Sequence, residues 1–396
     1  MRAEAAADPT APAPGEPEPP PPRGWPPGFG VGDAERRAIL TLSELQGLKP
    51  LDVHRVAWDV GSAVGCVEAV RARRLGSAGD REWIDRIDPA ATASAVDRAG
   101  ARFVTPADRE YEDRLNDLRD PPAGLFLLGL PLGDGGDRVA IVGARRCSTL
   151  GRDVAEDLAA AVASAGLGVV SGAAHGIDAA AHRGALEAGG RTVAVLGSGI
   201  DVPYPGGNRD LLRRIAEHGT VASEYPPGVP AEARRFPARN RIVVAFARAL
   251  VVVEGAARSG SRISVDHALD LGREVFAVPG PVTSALAETP LEMIRDGATL
   301  IRGARDLLED LGVDPAAPPP APPDLDPEER SVWRALARSS LPDAIAEDAG
   351  LSVPDAVTTL VRLELRGVIA SEGGRYLVRH RPATTGGAAG PAPDHG

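Results

Sequence analysis

Apolar runs of four to six residues, each closed by glycine or serine, recur through the middle of this 396-residue chain. They are Val139–Ala144 (VAIVGA), Leu167–Asp178 (LGVVSGAAHGID), Thr192–Asp201 (TVAVLGSGID), Leu250–Ser261 (LVVVEGAARSGS) and Glu274–Pro281 (EVFAVPGP). A strand buried on both faces needs such continuous apolar runs, and the helix-like stretches that follow them supply crossovers. The pattern predicts an α/β fold with a parallel sheet over about 137–312. Its glycine turns would align along the carboxyl edge, where open α/β sheets bind ligands. Small residues there let backbone N–H groups approach an anion.

The flanks read differently. Residues 1–32 hold ten prolines and are expected to be disordered. Helical periodicity runs from Asp33 to about Gly76, broken at Gly47-Leu48-Lys49-Pro50. That break either joins two helices or forms a hairpin that touches a DNA backbone. A helical domain and connector over 33–110 and a core over 111–312 follow. A proline-rich linker over 313–323 leads to a unit over 324–380, and 381–396 reads as a second disordered tail. PEERSVWRALARS, LPDAIAEDAG and SVPDAVTTLVRLELRG read as three helices, and VIASEGGRYLVR as a hairpin turning at Gly373-Gly374. Three helices and a two-stranded wing predict a winged helix. Its third helix is not basic, so protein contact competes with major-groove reading as its role.

Charge narrows the ligand. The formal net charge is −11, yet Glu232–Arg262 carries seven arginines against two acids. A local basic stretch on an acidic chain suits a confined phosphate site, or a solvated helix face. Lys49 is the sole lysine, so no Walker A loop exists. Gly197-Ser198-Gly199 lacks the third glycine of a dinucleotide fingerprint, and no cofactor is expected. Cys66 and Cys147 match no metal spacing and suit a reduced, cytoplasmic protein. No signal pattern or membrane-length apolar run is evident, so neither membrane contact nor export is expected.

Individual residues carry paired readings. Arg145, after Gly143, either grips a phosphate bidentately or is solvated. Ser171 and Gly172 offer a hydroxyl and N–H groups, while Asp178 is expected to cap the next helix. His175, Asp178 and His182 invite a metal, but capping and packing account for them, and no metal is expected. Phe236-Pro237-Ala238-Arg239-Asn240-Arg241 provides either base stacking with phosphate neutralisation, or a helix start whose arginines pair with acids. Ser259 and Gly260 would close the same groove. No set of residues at these turns composes a catalytic centre.

With those segments assembled, the chain resembles the DNA processing protein A (DprA/Smf) family. The resemblance rests on their order: VAIVGARRCSTLG, SGAAHGIDAAAHRGAL, VLGSGIDVPYP, SEYPPG, FPARNRIV, VVVEGAARSGS, GREVFAVPG and RDGATLI. It implies a Rossmann-like core that binds single-stranded DNA, forms a homodimer and loads the RecA recombinase during natural transformation, without enzymatic turnover. By motif match, Gly143, Arg145, Ser171, Gly172, Phe236, Arg239, Asn240 and Arg241 would form the DNA groove. The chain departs from the family pattern at His175, at Arg262 and in the loop Ala287-Glu288-Thr289-Pro290-Leu291. A related phosphoribohydrolase-like enzyme would need P-G-G-x-G-T-x-x-E, whereas Pro205-Gly206-Gly207 is followed by Asn208-Arg209-Asp210. A protein-interaction scaffold is the third reading.

Overall fold

The computed structural model describes residues 22–132, 136–257, 260–313, 325–336, 341–366, 369–372 and 375–378. Residues 1–21, 314–324 and 379–396, which cover most of the expected tails and linker, lie outside that set, as does the Gly373-Gly374 turn.

The N-terminal helices are α1 (Asp33–Ser43), α2 (Pro50–Val60), α3 (Ala63–Arg71), α4 (Ala78–Trp83) and α5 (Pro89–Arg98). The apolar run after Pro50 is two helices rather than one. Gly61, at φ 76°, ends α2, and the Ser62 hydroxyl caps α3 by accepting from the Gly65 N–H at 3.0 Å. The expected disorder over 1–32 stops early: Trp25 stacks on Phe29, which is buried against α1 and α2. Two large aromatic rings outweigh the local proline content.

Beyond α5, β1 (Arg102–Val104) and β2 (Leu125–Gly129) extend the sheet. The core continues through β3 (Arg138–Val142), α6 (Thr149–Ser164), β4 (Gly168–Ser171), α7 (Ile177–Glu187) and β5 (Thr192–Leu196). Next come α8 (Arg209–His218), β6 (Thr220–Ser223), α9 (Arg235–Ala245), β7 (Ala249–Val252) and α10 (Gly260–Asp270). The core closes with β8 (Glu274–Ala277), α11 (Glu288–Arg295), β9 (Thr299–Leu300) and α12 (Ala304–Asp310). The sheet has nine strands in the order β1-β2-β6-β5-β4-β3-β7-β8-β9. From β6 to β9 every pairing is parallel; β1 and β2 add an antiparallel edge. The sheet therefore starts at Arg102, ahead of the core boundary read from the sequence.

Helices cover both faces. On one, alanines of α6 (Ala155, Ala159, Ala163) and α7 (Ala180, Ala181, Ala185) share a cluster with Val139, Ile141 and Val251. A Cβ at Gly184 would overlap the Glu156 carbonyl, so a glycine lets α7 lie against the α6 backbone. The other face packs α9 residues Ile242–Ala245 and Phe246 onto β3, β5 and β7. His182 is fully buried in α7, and its Nδ1 meets the Thr192 hydroxyl at 2.7 Å. Since that hydroxyl donates to the Val169 carbonyl at 3.0 Å, it accepts from His182 Nδ1–H.

Burial holds the His182 imidazole neutral, with its pKa pushed down to about 3 from 6.5. The unfolded chain therefore binds a proton that the folded chain refuses. Stability contributed by neutral His182 is complete above pH 6.5 and is lost as pH falls toward 3. In urea denaturation, His182→Asn is expected to remove up to about 1.4 kcal/mol per pH unit of slope in that window. An unchanged slope would place the acid sensitivity elsewhere.

The C-terminal unit consists of α13 (Pro327–Leu336), α14 (Pro342–Ala349), α15 (Val353–Leu365) and the antiparallel pair β10 (Ile369–Glu372) and β11 (Arg375–Val378). This is the predicted winged helix, closed around Val332, Trp333, Ile345, Leu360 and Leu363. Among the described residues, no helix is long and apolar enough to cross a membrane.

Candidate nucleic-acid interface

In the parallel sheet β3 lies between β4 and β7, so the chain leaves in opposite directions on its two sides. Such a reversal opens a crevice at the carboxyl edge. A cleft of about 390 Å³ occupies it, bounded by the ends of β3, β4 and β7, the first turns of α9 and α10, and Leu286. Gly143, Arg145, Gly172, Phe236, Arg239, Asn240 and Gly260 all line it.

The glycines act differently from the expectation. A Cβ at Gly143 would sit 2.7 Å from Ile177 and 2.8 Å from the Glu254 carbonyl. At Gly172 it would overlap the Arg239 guanidinium. Both glycines thus make room for the protein's own atoms, and the cleft's floor is a side chain rather than bare backbone. The loop after β4 is pinned as well: Ala173 takes φ 53°, and the buried Asn208 amide donates to the carbonyls of Ala173 (3.0 Å) and Ala174 (3.2 Å).

Arg239 is 4% exposed and donates to the Val195 carbonyl, while its Nε has no partner among the described residues. No carboxylate forms an ion pair with it there. Desolvation pulls its pKa down to about 10, against the attraction of Asp178. Asp178, also lining the cleft, accepts from the Ala174 N–H at 3.3 Å instead of capping α7, whose N-cap is Gly176. Burial raises the Asp178 pKa, opposed by Arg239 and then by the Ala174 hydrogen bond. At the mouth, the exposed Arg145 guanidinium lies 5.0 Å over the Phe236 ring. Tyr204 stacks on Phe236, with centroids 5.0 Å apart and planes at 27°. Arg145 and Tyr204 thus both pack on Phe236, in one stack of cation and rings.

Two expected contacts lie elsewhere. Arg241 faces away from the cleft and is 2% exposed, with Nη2 2.7 Å from Glu224 and Nε 3.0 Å from Asp120. Desolvation opposes its charge, but these two carboxylates win and hold its pKa above the usual arginine range. It is a structural ion pair, because residues two apart on α9 point to nearly opposite sides. Ser171 is fully buried and donates to the Ile141 carbonyl at 2.7 Å, bridging β4 to β3. Ser259 lies outside the described residues. Asn240 is in place, its amide donating to the Gly260 carbonyl at 3.3 Å.

The departures from the motif also resolve. Arg262 pairs with Glu292 at 3.2 Å, so its charge is drawn toward α11. The segment Ala287–Leu291, expected as a loop, is instead the N-cap and start of α11, and its Thr289 hydroxyl donates to the Ala256 carbonyl at 2.7 Å, fastening α11 beside β7. His175 is exposed, whereas Asp178 and His182 are buried. Among the described residues, no group of three or more His, Cys, Asp or Glu could hold a metal ion.

One feature had no local signal. Glu254, just past β7, accepts from the Ser148 N–H (2.8 Å) and hydroxyl (2.6 Å) at the start of α6. In dinucleotide-binding folds a helix N-terminus in this position receives a pyrophosphate. Here a carboxylate already fills it, and a Cβ at Gly151 would overlap that carboxylate. The partners are 106 residues apart in sequence. Tyr204, Asp178 and Asn208 were likewise missed as site residues, although Tyr204 sits inside the quoted VLGSGIDVPYP motif.

Comparison with known proteins agrees with this architecture. Residues 102–312 match the family model for DNA recombination-mediator protein A, and 315–375 match the DprA winged helix domain. The chain is 39% identical over 358 residues to the DNA processing protein DprA of Mycobacterium tuberculosis, covering 83% of this chain and 92% of that one. It is 37% identical to protein Smf of Escherichia coli, over 69% of this chain and 76% of the relative. The X-ray structure of DprA from Streptococcus pneumoniae superposes with a TM-score of 0.62 at 32% identity, covering 71% of this chain and 98% of that one.

Proposed function

Because this chain belongs to the DNA processing protein A (DprA/Smf) family, we propose that it binds single-stranded DNA in the cleft and hands it to a RecA recombinase during DNA uptake. In this reading it acts as a cytoplasmic homodimer. The observation that carries the proposal is the Tyr204–Phe236–Arg145 stack at a cleft that the Arg239 guanidinium also lines. Stacked rings accept any base face, and cations beside them neutralise the adjoining phosphates. A paired base cannot lie flat on such a platform, so single strands are favoured over duplex.

The reading is of a binding protein rather than an enzyme. Asn208, which follows Pro205-Gly206-Gly207, spends its amide on the β4 loop, leaving that stretch a scaffold.

A salt titration of oligonucleotide binding tests the proposal. The logarithm of affinity should fall linearly with the logarithm of salt concentration, and Arg145→Ala should flatten that slope by about 0.7. Arg145 is exposed and has no ion pair among the described residues, so thermal stability should stay within about 0.5 kcal/mol. Salt-independent binding, or none, would sink the proposal; an unaltered slope in the variant would remove Arg145 from the site.

A further inference from the structure

On the far side of α9's first turn lies a second cavity, of about 230 Å³, between the helical domain and the sheet. Its floor is apolar, with Ile39 and Leu42 from α1, Val53 from α2 and Trp25 from the preceding segment. Lys49, Arg234 and Arg235 also line it. Lys49 is exposed and forms no ion pair among the described residues. Arg234 and Arg235 share Glu232, at 2.7 and 2.9 Å, which leaves one net positive charge between them. Arg234 remains exposed, and the buried Arg235 guanidinium lies 4.9 Å over the Tyr225 ring. Glu224 is the acid in the lining, and its charge is committed to Arg241 at 2.7 Å. The rim is therefore cationic.

The turn that carries Lys49 is built rather than loose. Asp80 accepts from the Gly47 N–H at 2.9 Å and from the Ser77 N–H at 2.8 Å and hydroxyl at 2.7 Å. A Cβ at Gly47 would overlap that carboxylate. Pro50 then starts α2, with Lys49 at its N-cap. This is the Gly47–Pro50 break singled out in the sequence, and the cleft does not use it.

We propose that this interdomain cavity is a second nucleotide subsite: the strand leaving the cleft crosses the start of α9, seats one base on the apolar floor, and sets its phosphate against Lys49 and Arg234. The inference rests on the cleft's binding single strands. Two observations favour a nucleotide over a peptide. Consecutive residues at the start of α9 and its N-cap line the two sites, with Phe236, Pro237, Arg239 and Asn240 on the cleft and Arg234, Arg235 and Ala238 on the cavity. The rim cations also continue the charge of the proposed strand path.

Full-length protein and its Lys49→Glu and Ala238→Trp variants, titrated with oligothymidylates of about 4 and about 12 nucleotides, test this. Ala238 is exposed, so a tryptophan there fills the cavity from outside without entering the core. Both variants should bind the short strand as wild type does. The longer strand should weaken about fivefold or more with Ala238→Trp, and its salt slope should flatten by about 0.7 or more with Lys49→Glu. Wild-type affinity of both variants for the longer strand would overturn the subsite and leave the cavity to a protein partner. Failure of the wild type to bind either strand would instead overturn the cleft reading beneath it.

Discussion

Replacing Arg239 with methionine is expected to cost about tenfold or more in affinity for a single-stranded oligonucleotide, while the thermal midpoint holds or rises. Arg239 is 4% exposed, and among the described residues its charge has no ion-pair partner and its Nε no hydrogen-bond partner. A buried cation in that state is a burden on folding. Methionine matches the stem's shape and removes the charge, so the folded state loses the hydrogen bond to Val195 and the attraction to Asp178, whose carboxyl is already biased toward the neutral form by burial. A bound phosphate or base edge would supply the missing partner, which makes the contact charge-assisted and strong. Fluorescence anisotropy and a melting curve on the same preparation decide the matter. A lowered midpoint with unchanged affinity would make Arg239 a structural residue.

Arg241→Met should do the opposite. The substitution strands Glu224 and Asp120, which lie 2.7 and 3.0 Å from the guanidinium. Breaking one partner out of a buried charge cluster costs about 3–5 kcal/mol. Urea denaturation should show that loss, while the folded fraction binds DNA about as tightly as wild type. Full stability with weakened binding would return Arg241 to the interface. Two arginines separated by one residue, both named in the same motif, thus divide into binding and folding roles.

The helical period could have separated them in advance. Once α9 is drawn over Arg235–Ala245, positions 239 and 241 diverge by about 200° and cannot line one groove. The motif match put both in one groove, whereas the other reading of FPARNR, a helix start whose arginines pair with acids, describes Arg241. The strands with continuous apolar runs, such as Val139–Val142 and Leu250–Val252, were legible because burial on both faces leaves a run without polar breaks. β1 and β6 were not, since three or four residues carry no periodicity and their placement follows from a partner strand. β2 has the apolar run but pairs antiparallel, a fact set by its neighbour β6 rather than by its own residues. The glycine turns fall at the cleft, but only the fold shows that Gly172 is sized for a guanidinium.

Glu254 has a further consequence. A free nucleotide commonly binds an open α/β sheet by seating its phosphates on helix N-terminal amides, an interaction available to any small metabolite of that class. In this chain the amide at Ser148 is already answered by an internal carboxylate, held at 2.8 Å. Abundant mononucleotides therefore meet repulsion where they would need attraction, and are left with the side-chain platform alone. A polymer can engage several weak positions at once, so its advantage grows with length while that of a monomer does not. On the proposed reading, the carboxylate would act as a filter beside the cleft, disfavouring the soluble nucleotide pool relative to a strand.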